Sequence, residues 1–255
     1  MIRLYAVNIL PLQDEARFAY CYARSSQDRQ EKADVLQMPA DKARCIAAGL
    51  LLEYAYKKYR TEKIKELANA NSFGYAQNVK EYPQEVPGIA EGMRGKPEFI
   101  WPEDTENRIF FNLSHSGNYV ICVMADFEVG ADIQVKTRVR ESLLRRFFSE
   151  EEQTCMEMCG EDETLRERTF ARIWASKEAA AKLTGRGIGQ MLSVLVRKME
   201  GKETADAQEY HLWQGVIDED YAWAVACEPE MAGKETDVLE PVMADEGELF
   251  YEGTV

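Results

Sequence analysis

The stretch FFNLSHSGNYVICVMADFEVGADIQ, residues 110–134, decides how this chain is read. It divides into three strands, 110–113, 119–125 and 129–135, joined by a polar Ser-His-Ser-Gly-Asn turn and by Asp126-Phe127-Glu128. Side chains alternate along a strand, so Asp132 and Gln134 share one face while Ala131 and Ile133 share the other. An acid between apolar neighbours is costly to bury unless a cation meets it. The plain alternative is a solvated sheet edge.

A second stretch bears on that choice. ARIWASKEAAAKLTG, residues 171–185, is rich in alanine and lysine and predicts a helix stopped by Gly185. Trp174, Glu178 and Lys182 fall on one stripe, bordered by Ile173 and Ala181. Alone, Glu178 and Lys182 would read as an ordinary pair on a wet helix face, worth a few tenths of a kcal/mol.

Taken together, five blocks resemble the 4′-phosphopantetheinyl transferases, specifically the larger single-chain, two-lobed type that activates surfactin synthetase. They are Gly95-Lys96-Pro97, Asn112-Leu113-Ser114-His115, Gly130-Ala131-Asp132, Phe147-Phe148-Ser149 and Trp174-Ala175-Ser176-Lys177-Glu178 with Lys182 four residues on. Their order and spacing follow the family across most of residues 40 to 190. The resemblance implies an α+β fold of two similar lobes in a pseudo-twofold arrangement, each an antiparallel sheet packed on a long helix, with the ligand between them. The expected division is an N-terminal lobe, 1–106, a C-terminal lobe, 107–228, and an acidic tail, 229–255.

The family reaction passes 4′-phosphopantetheine from coenzyme A to a serine of an apo acyl or peptidyl carrier protein and releases 3′,5′-ADP. The resemblance implies Mg2+ held by Asp132 and Glu178, with Lys182 reaching the same phosphates and Lys177 assisting or facing outward. Many relatives carry a third acid where this chain has Gln134, a weaker ligand that binds through its carbonyl or yields to water. Arg29, Lys32, Arg44, Arg94, Gly95, Lys96, Pro97, Asn112, Ser114 and His115 are the implied coenzyme A contacts, His115 on the 3′-phosphate. Glu178, directly or through water, is preferred to His115 as base for the acceptor serine. Two other readings compete. A non-catalytic coenzyme A- or carrier-binding relative predicts loss of Asp132, Glu178 or Lys182, and all three are present. A serine hydrolase using Ser114 or Ser116 with His115 would have to draw base and nucleophile from adjacent turn residues, without a Gly-x-Ser-x-Gly elbow.

Composition sets outer bounds. At 255 residues, 45% hydrophobic and 30% charged, the chain has the makeup of a globular protein with room for two lobes. No apolar run approaches 18 residues, and MIRLYAVNILPL reads as a strand and not a signal peptide. Six scattered cysteines without a CxxC point to free thiols in a cytoplasmic setting, and two histidines make structural zinc a poor fit. A net charge of −14 argues against nucleic acid. From Glu228 onward nine acids face one base, Lys234, and this tail reads as a solvated extension. A chain with an internal site needs no partner copy, so a monomer is expected.

Between these landmarks, a helix is expected near Asp41, taken as its cap, with Ile46, Leu50, Leu51 and Tyr54 facing a sheet. Arg44 lies in its first turn, where the helix dipole favours an anion. Lys136, Arg138, Arg140, Arg145 and Arg146, interleaved with Leu143, Leu144 and Phe147, form the densest basic cluster. This segment, 136–148, reads either as a wet helix or as the docking surface for an acidic carrier protein. Ser149 and Glu152 spell a capping box. Residues 154–168 resemble a variable insert, and 185–189 form a glycine-rich turn, not a nucleotide loop. Strands are expected at 193–198, 210–217 and 221–227, with His211 lining that sheet without chemistry.

Overall fold

The computed structural model describes residues 1–70, 82–92, 95–103, 105, 107–185, 210–232 and 239–251. Arg94 and the strand expected at 193–198 lie outside them. The chain forms an α+β structure in two compact units: Met1–Glu91, Pro97–Phe127 and Glu240–Val255 in the first, Gly92–Lys96 and Glu128–Leu239 in the second.

In the first unit, β1 (Ile2–Asn8), β4 (Phe110–Ser116), β5 (Tyr119–Ala125) and β9 (Pro241–Met243) form one sheet in the order β4-β5-β1-β9. The short strands β2 (Ile89–Glu91) and β3 (Pro97–Phe99) pair separately. Strand β5 sits between two neighbours, and all seven of its residues are buried, which explains its unbroken apolar run. Helices α1 (Glu15–Arg24), α2 (Gln27–Asp34) and α3 (Pro39–Ala70) lie in the same unit. The apolar stripe of α3, with Ile46, Leu50, Leu51, Tyr56 and Tyr59, joins Val120, Cys122 and Met124 of β5 in one core.

Helix α3 begins two residues before Asp41, because a proline needs no amide partner in a first helical turn. Asp41 instead accepts from Arg44 one turn on. At the other end of this sheet, β4 continues through Ser-His-Ser, so His115 stands on a strand and not in the turn. The reversal is made by Gly117, whose φ of 52° suits a residue without a side chain, and Asn118.

In the second unit, β6 (Gly130–Val135), β8 (Tyr221–Cys227) and β7 (His211–Ile217) pair antiparallel in that order. Helices α4 (Glu141–Phe147), α5 (Glu150–Glu157) and α6 (Glu163–Thr184) follow β6. The capping box forms as read, Ser149 accepting from the Glu152 amide and Glu152 from the Ser149 amide. Helix α6 starts eight residues earlier than expected, inside the supposed insert, because Asp162 accepts from the Leu165 amide and caps it. Gly185 ends it with a φ of 63°.

The expected boundary at 106/107 does not hold. Strands β4 and β5 belong with β1, since β5 hydrogen-bonds β1 along its whole length, from Ile2 opposite Ala125 to Asn8 opposite Tyr119. Nor is the acidic tail wholly solvated. Within it β9 pairs parallel with β1, and helix α7 (Glu246–Phe250) buries Leu249 and Phe250 in the first unit's core. Net charge describes the tail's wet face and hides these two apolar anchors. Among the described residues no helix is long and apolar enough to cross a membrane.

Phe250→Ala is therefore expected to lower the unfolding free energy by about 3–5 kcal/mol, as for other buried aromatic truncations, measured by urea titration. A loss near zero would mean that the C-terminal segment does not anchor the first unit.

Candidate functional site

The site is built on a close approach between a strand and a helix. A Cβ on Gly130 would collide with the Ala179 carbonyl oxygen and the Leu183 amide, so only glycine lets β6 lie this near α6. Small residues carry the contact onward, with Ala175, Ala179 and Ala180 of α6 buried against Ala224 and Ala226 of β8. Asp132 lies two residues beyond Gly130, on the face that meets the helix, and is 6% exposed.

Its cationic answer is Lys182, whose Nζ stands 2.6 Å from Asp132 Oδ1. Glu178, one turn back on α6, completes the cluster. Burial pushes the Glu178 carboxyl above its ordinary value, and the Asp132 charge pushes it further the same way, while Lys182 works against both. Among the described residues two acids thus stand beside one lysine in a half-buried place.

That donor set fits a hard divalent cation. Both side chains offer carboxylate oxygens, and Mg2+ commonly takes one or two carboxylates with phosphate and water completing its shell. Among the described residues no group of three or more Asp, Glu, His or Cys side chains is arranged to hold a metal. Gln134, the next residue on the same face, is half-buried and donates from Nε2 to the Val135 carbonyl at 2.9 Å.

Lys177 stands apart from the ligand contacts expected of it. It is 0% exposed and ion-pairs at 2.9 Å with Glu152 Oε2, which also accepts from the Ser149 amide at 2.8 Å. Burial lowers the Lys177 pKa and Glu152 opposes that. The lysine therefore ties α6 to the start of α5. The capping box was legible in the sequence, but the second duty of Glu152 was not, because nothing local marks its cross-helix partner.

In the first unit, Arg44 reaches the turn that follows His115, donating from Nη1 to the Gly117 carbonyl at 2.8 Å. His115 is exposed, while Asn112 and Ser114 are buried. Ser114 and His115, like His115 and Ser116, are strand neighbours that point to opposite faces, so no Ser–His hydrolytic pair forms. Arg29 lays its stem over Gly49 at the α2–α3 contact. Lys32 is exposed and paired with Asp28. In the second unit Gly95 adopts a φ of 83°, and Lys96 pairs with Glu128, a partner the sequence did not disclose. Pro97 opens β3 in the first unit.

The basic segment is only partly available for docking. Arg138, Arg140, Arg145 and Arg146 are exposed, whereas Lys136 pairs with Asp220 at 2.7 Å. Leu144 and Phe147, expected as apolar anchors, are instead buried with Phe148, Phe170 and Trp174. Phe147 meets Trp174 edge to face at 5.8 Å, and Phe170 stacks on it at 5.6 Å. Leu143 stays half-buried.

Comparison with known families picks out the same segment. Residues 128–229 match the model of the 4′-phosphopantetheinyl transferase superfamily. This part of the chain is similar to that superfamily. It holds Asp132, Glu178 and Lys182 together. A putative 4′-phosphopantetheinyl transferase of Synechocystis is 29% identical over 176 residues, covering 67% of this chain and 61% of the relative. The 4′-phosphopantetheinyl transferase psf-1 of Bacillus pumilus is 30% identical over 135 residues, 51% of this chain and 57% of the relative. AcpT of Escherichia coli K12, also named a 4′-phosphopantetheinyl transferase, is 38% identical over 113 residues, 43% and 54% respectively. The chain thus spans between half and two thirds of the length of these relatives.

Two outcomes follow. Gly130→Ala should cost at least the ~1–3 kcal/mol typical of overpacking, since its Cβ would meet backbone and not a movable side chain. A thermal melt matching the parent would refute the close approach. Glu178→Gln should stabilise the fold without added cation. A carboxyl whose folded pKa is raised costs stability as pH climbs from its ordinary value through the raised one, and glutamine escapes that cost. The variant's advantage should therefore be present at neutral pH and vanish on acidification below the ordinary glutamate range, measured by melts across pH. An advantage that persists in acid would contradict the assigned cause.

Proposed function

We propose that the chain transfers 4′-phosphopantetheine from coenzyme A to a serine hydroxyl of an apo carrier protein. The observation that carries this reading is the Asp132–Lys182–Glu178 cluster, two acids and one lysine drawn together at the Gly130 contact. In the transfer, the serine Oγ forms a bond to the β-phosphorus, the bond to the 3′,5′-ADP oxygen breaks, and the serine proton passes to a base. Little covalent work falls to the protein; positioning and charge neutralisation dominate such reactions.

Asp132 and Glu178 would hold Mg2+, with Gln134 beside them. The ion supplies neutralisation of the diphosphate charge when bound. Lys182 would bind a phosphate oxygen. Glu178 doubles as the candidate proton acceptor, its affinity for a proton raised by burial and by Asp132. Within the first unit, Arg44, at the turn beyond His115, and His115 would bind the nucleotide's phosphates, Arg29 and Lys32 lying on the neighbouring α2. Lys96, in the second unit, is a separate candidate contact to coenzyme A. The exposed arginines at 138, 140, 145 and 146 offer a cationic face to an acidic carrier. The six cysteines, all free, suit work in the cytoplasm, and the chain would act as a monomer.

The test mixes the protein with MgCl2, coenzyme A and a panel of apo carrier proteins, followed by intact-mass spectrometry. One added phosphopantetheine on a carrier serine is expected, and Asp132→Asn and Glu178→Gln should each lower the rate by about 10²-fold or more, as loss of a key electrostatic group does. Full rate in both variants would overturn the site assignment.

A further inference from the structure

Lys182 and a divalent cation draw on the same carboxylate. We propose that Lys182 competes with the cation for Asp132, so that cation and diphosphate bind in positive linkage: each removes the obstacle to the other. This rests on the metal site proposed above and goes beyond it, since it assigns Lys182 a restraining role before any substrate is held.

The geometry supplies the argument. Lys182 Nζ lies 2.6 Å from Asp132 Oδ1, an ion pair at full contact. The Lys182 side chain is 31% exposed and that of Asp132 9%, so the lysine has room to withdraw toward solvent while the acid has none. A lysine ends in a compact charge on a flexible four-carbon arm, and rotation about that arm moves the ammonium without moving the helix. A doubly charged ion on Asp132 would share its oxygens with that ammonium and repel it at short range. The lysine leaves at low cost only if another anion receives it. A diphosphate is such an anion, and it also supplies oxygens to the ion. In its absence Lys182 suppresses cation binding; in its presence the ammonium moves onto phosphate and the suppression ends. Reciprocity then requires the cation to tighten diphosphate binding by the same factor.

The experiment titrates Mn2+ alone into the full chain, by calorimetry and by loss of the free-ion electron paramagnetic resonance signal, without coenzyme A. Lys182→Met, which keeps length and removes charge, should bind Mn2+ roughly 5- to 150-fold tighter than the parent, the usual span of such coupling. Lys182→Gln should follow it, and Lys182→Arg, which keeps the charge, should remain near the parent. Measurable binding in Lys182→Met where the parent shows none also supports the proposal. Equal or weaker binding in Lys182→Met and Lys182→Gln, or no binding by any of them, overturns it. Asp132→Asn separates the two levels. If it loses Mn2+ that the parent binds while the lysine variants gain nothing, the competition fails and the metal site stands; if it binds Mn2+ measurably and as tightly as the parent, both fail.

Discussion

A carboxylate in the middle of a β-strand can be buried only if something answers its charge, and here the answer comes from a helix that could not approach a strand bearing one more carbon. The missing side chain at Gly130 and the alanines of α6 and β8 set the separation, and that separation places Lys182 against Asp132 with Glu178 one turn away. Exposed salt bridges contribute little, and buried ones are costly to assemble. Here burial and the Asp132 charge together disfavour an ionised Glu178, a strain that a fold optimised for stability alone would not keep. An unfavourable charge held in place by favourable packing is the usual signature of a site that expects a ligand.

The surrounding structure can be read as support for that placement. Helix α6 is held on its apolar side by the alanine contact with the sheet. It is held again by the buried Lys177–Glu152 pair, which joins it to the start of α5, and by the stacking of Phe148, Phe170 and Trp174. Neighbouring residues on one helix thus do opposite things. Lys177 is sealed inside and fixes the element, whereas Glu178 and Lys182 stand at its half-open flank. The motif Trp-Ala-Ser-Lys-Glu writes both roles in one short run, and only the fold separates them.

How far the sequence could be read depended on how local each signal was. Period-two alternation placed Asp132 and Gln134 together on β6, and helical spacing placed Glu178 over Lys182, so the core of the site was legible. The hairpin β7–β8, the capping box and the stop at Gly185 were legible for the same reason, each being a contact within a few residues. The cap of α6 at Asp162 is equally local and was overlooked because residues 154–168 were read as an insert. What escaped was long-range. Glu152 as the partner of Lys177, Glu128 as the partner of Lys96, and the pairing of β5 with β1 across more than a hundred residues leave no mark in their own neighbourhoods. Leu144 and Phe147 looked like surface anchors because arginines flank them, yet the flanking charges are wet and the apolar pair is core.

The return of β9 to the side of β1 has a consequence for how the protein is made. A chain emerging from the ribosome presents β1 first, and β5 can zip onto one of its edges once residue 125 is out. The other edge waits for residues 241–243, after the entire second unit has been synthesised. For that interval β1 carries an open row of amides and carbonyls, the kind of template on which stray strands gather. Vectorial synthesis therefore makes the first unit to begin folding the last to be sealed, and places its most aggregation-prone moment late in translation.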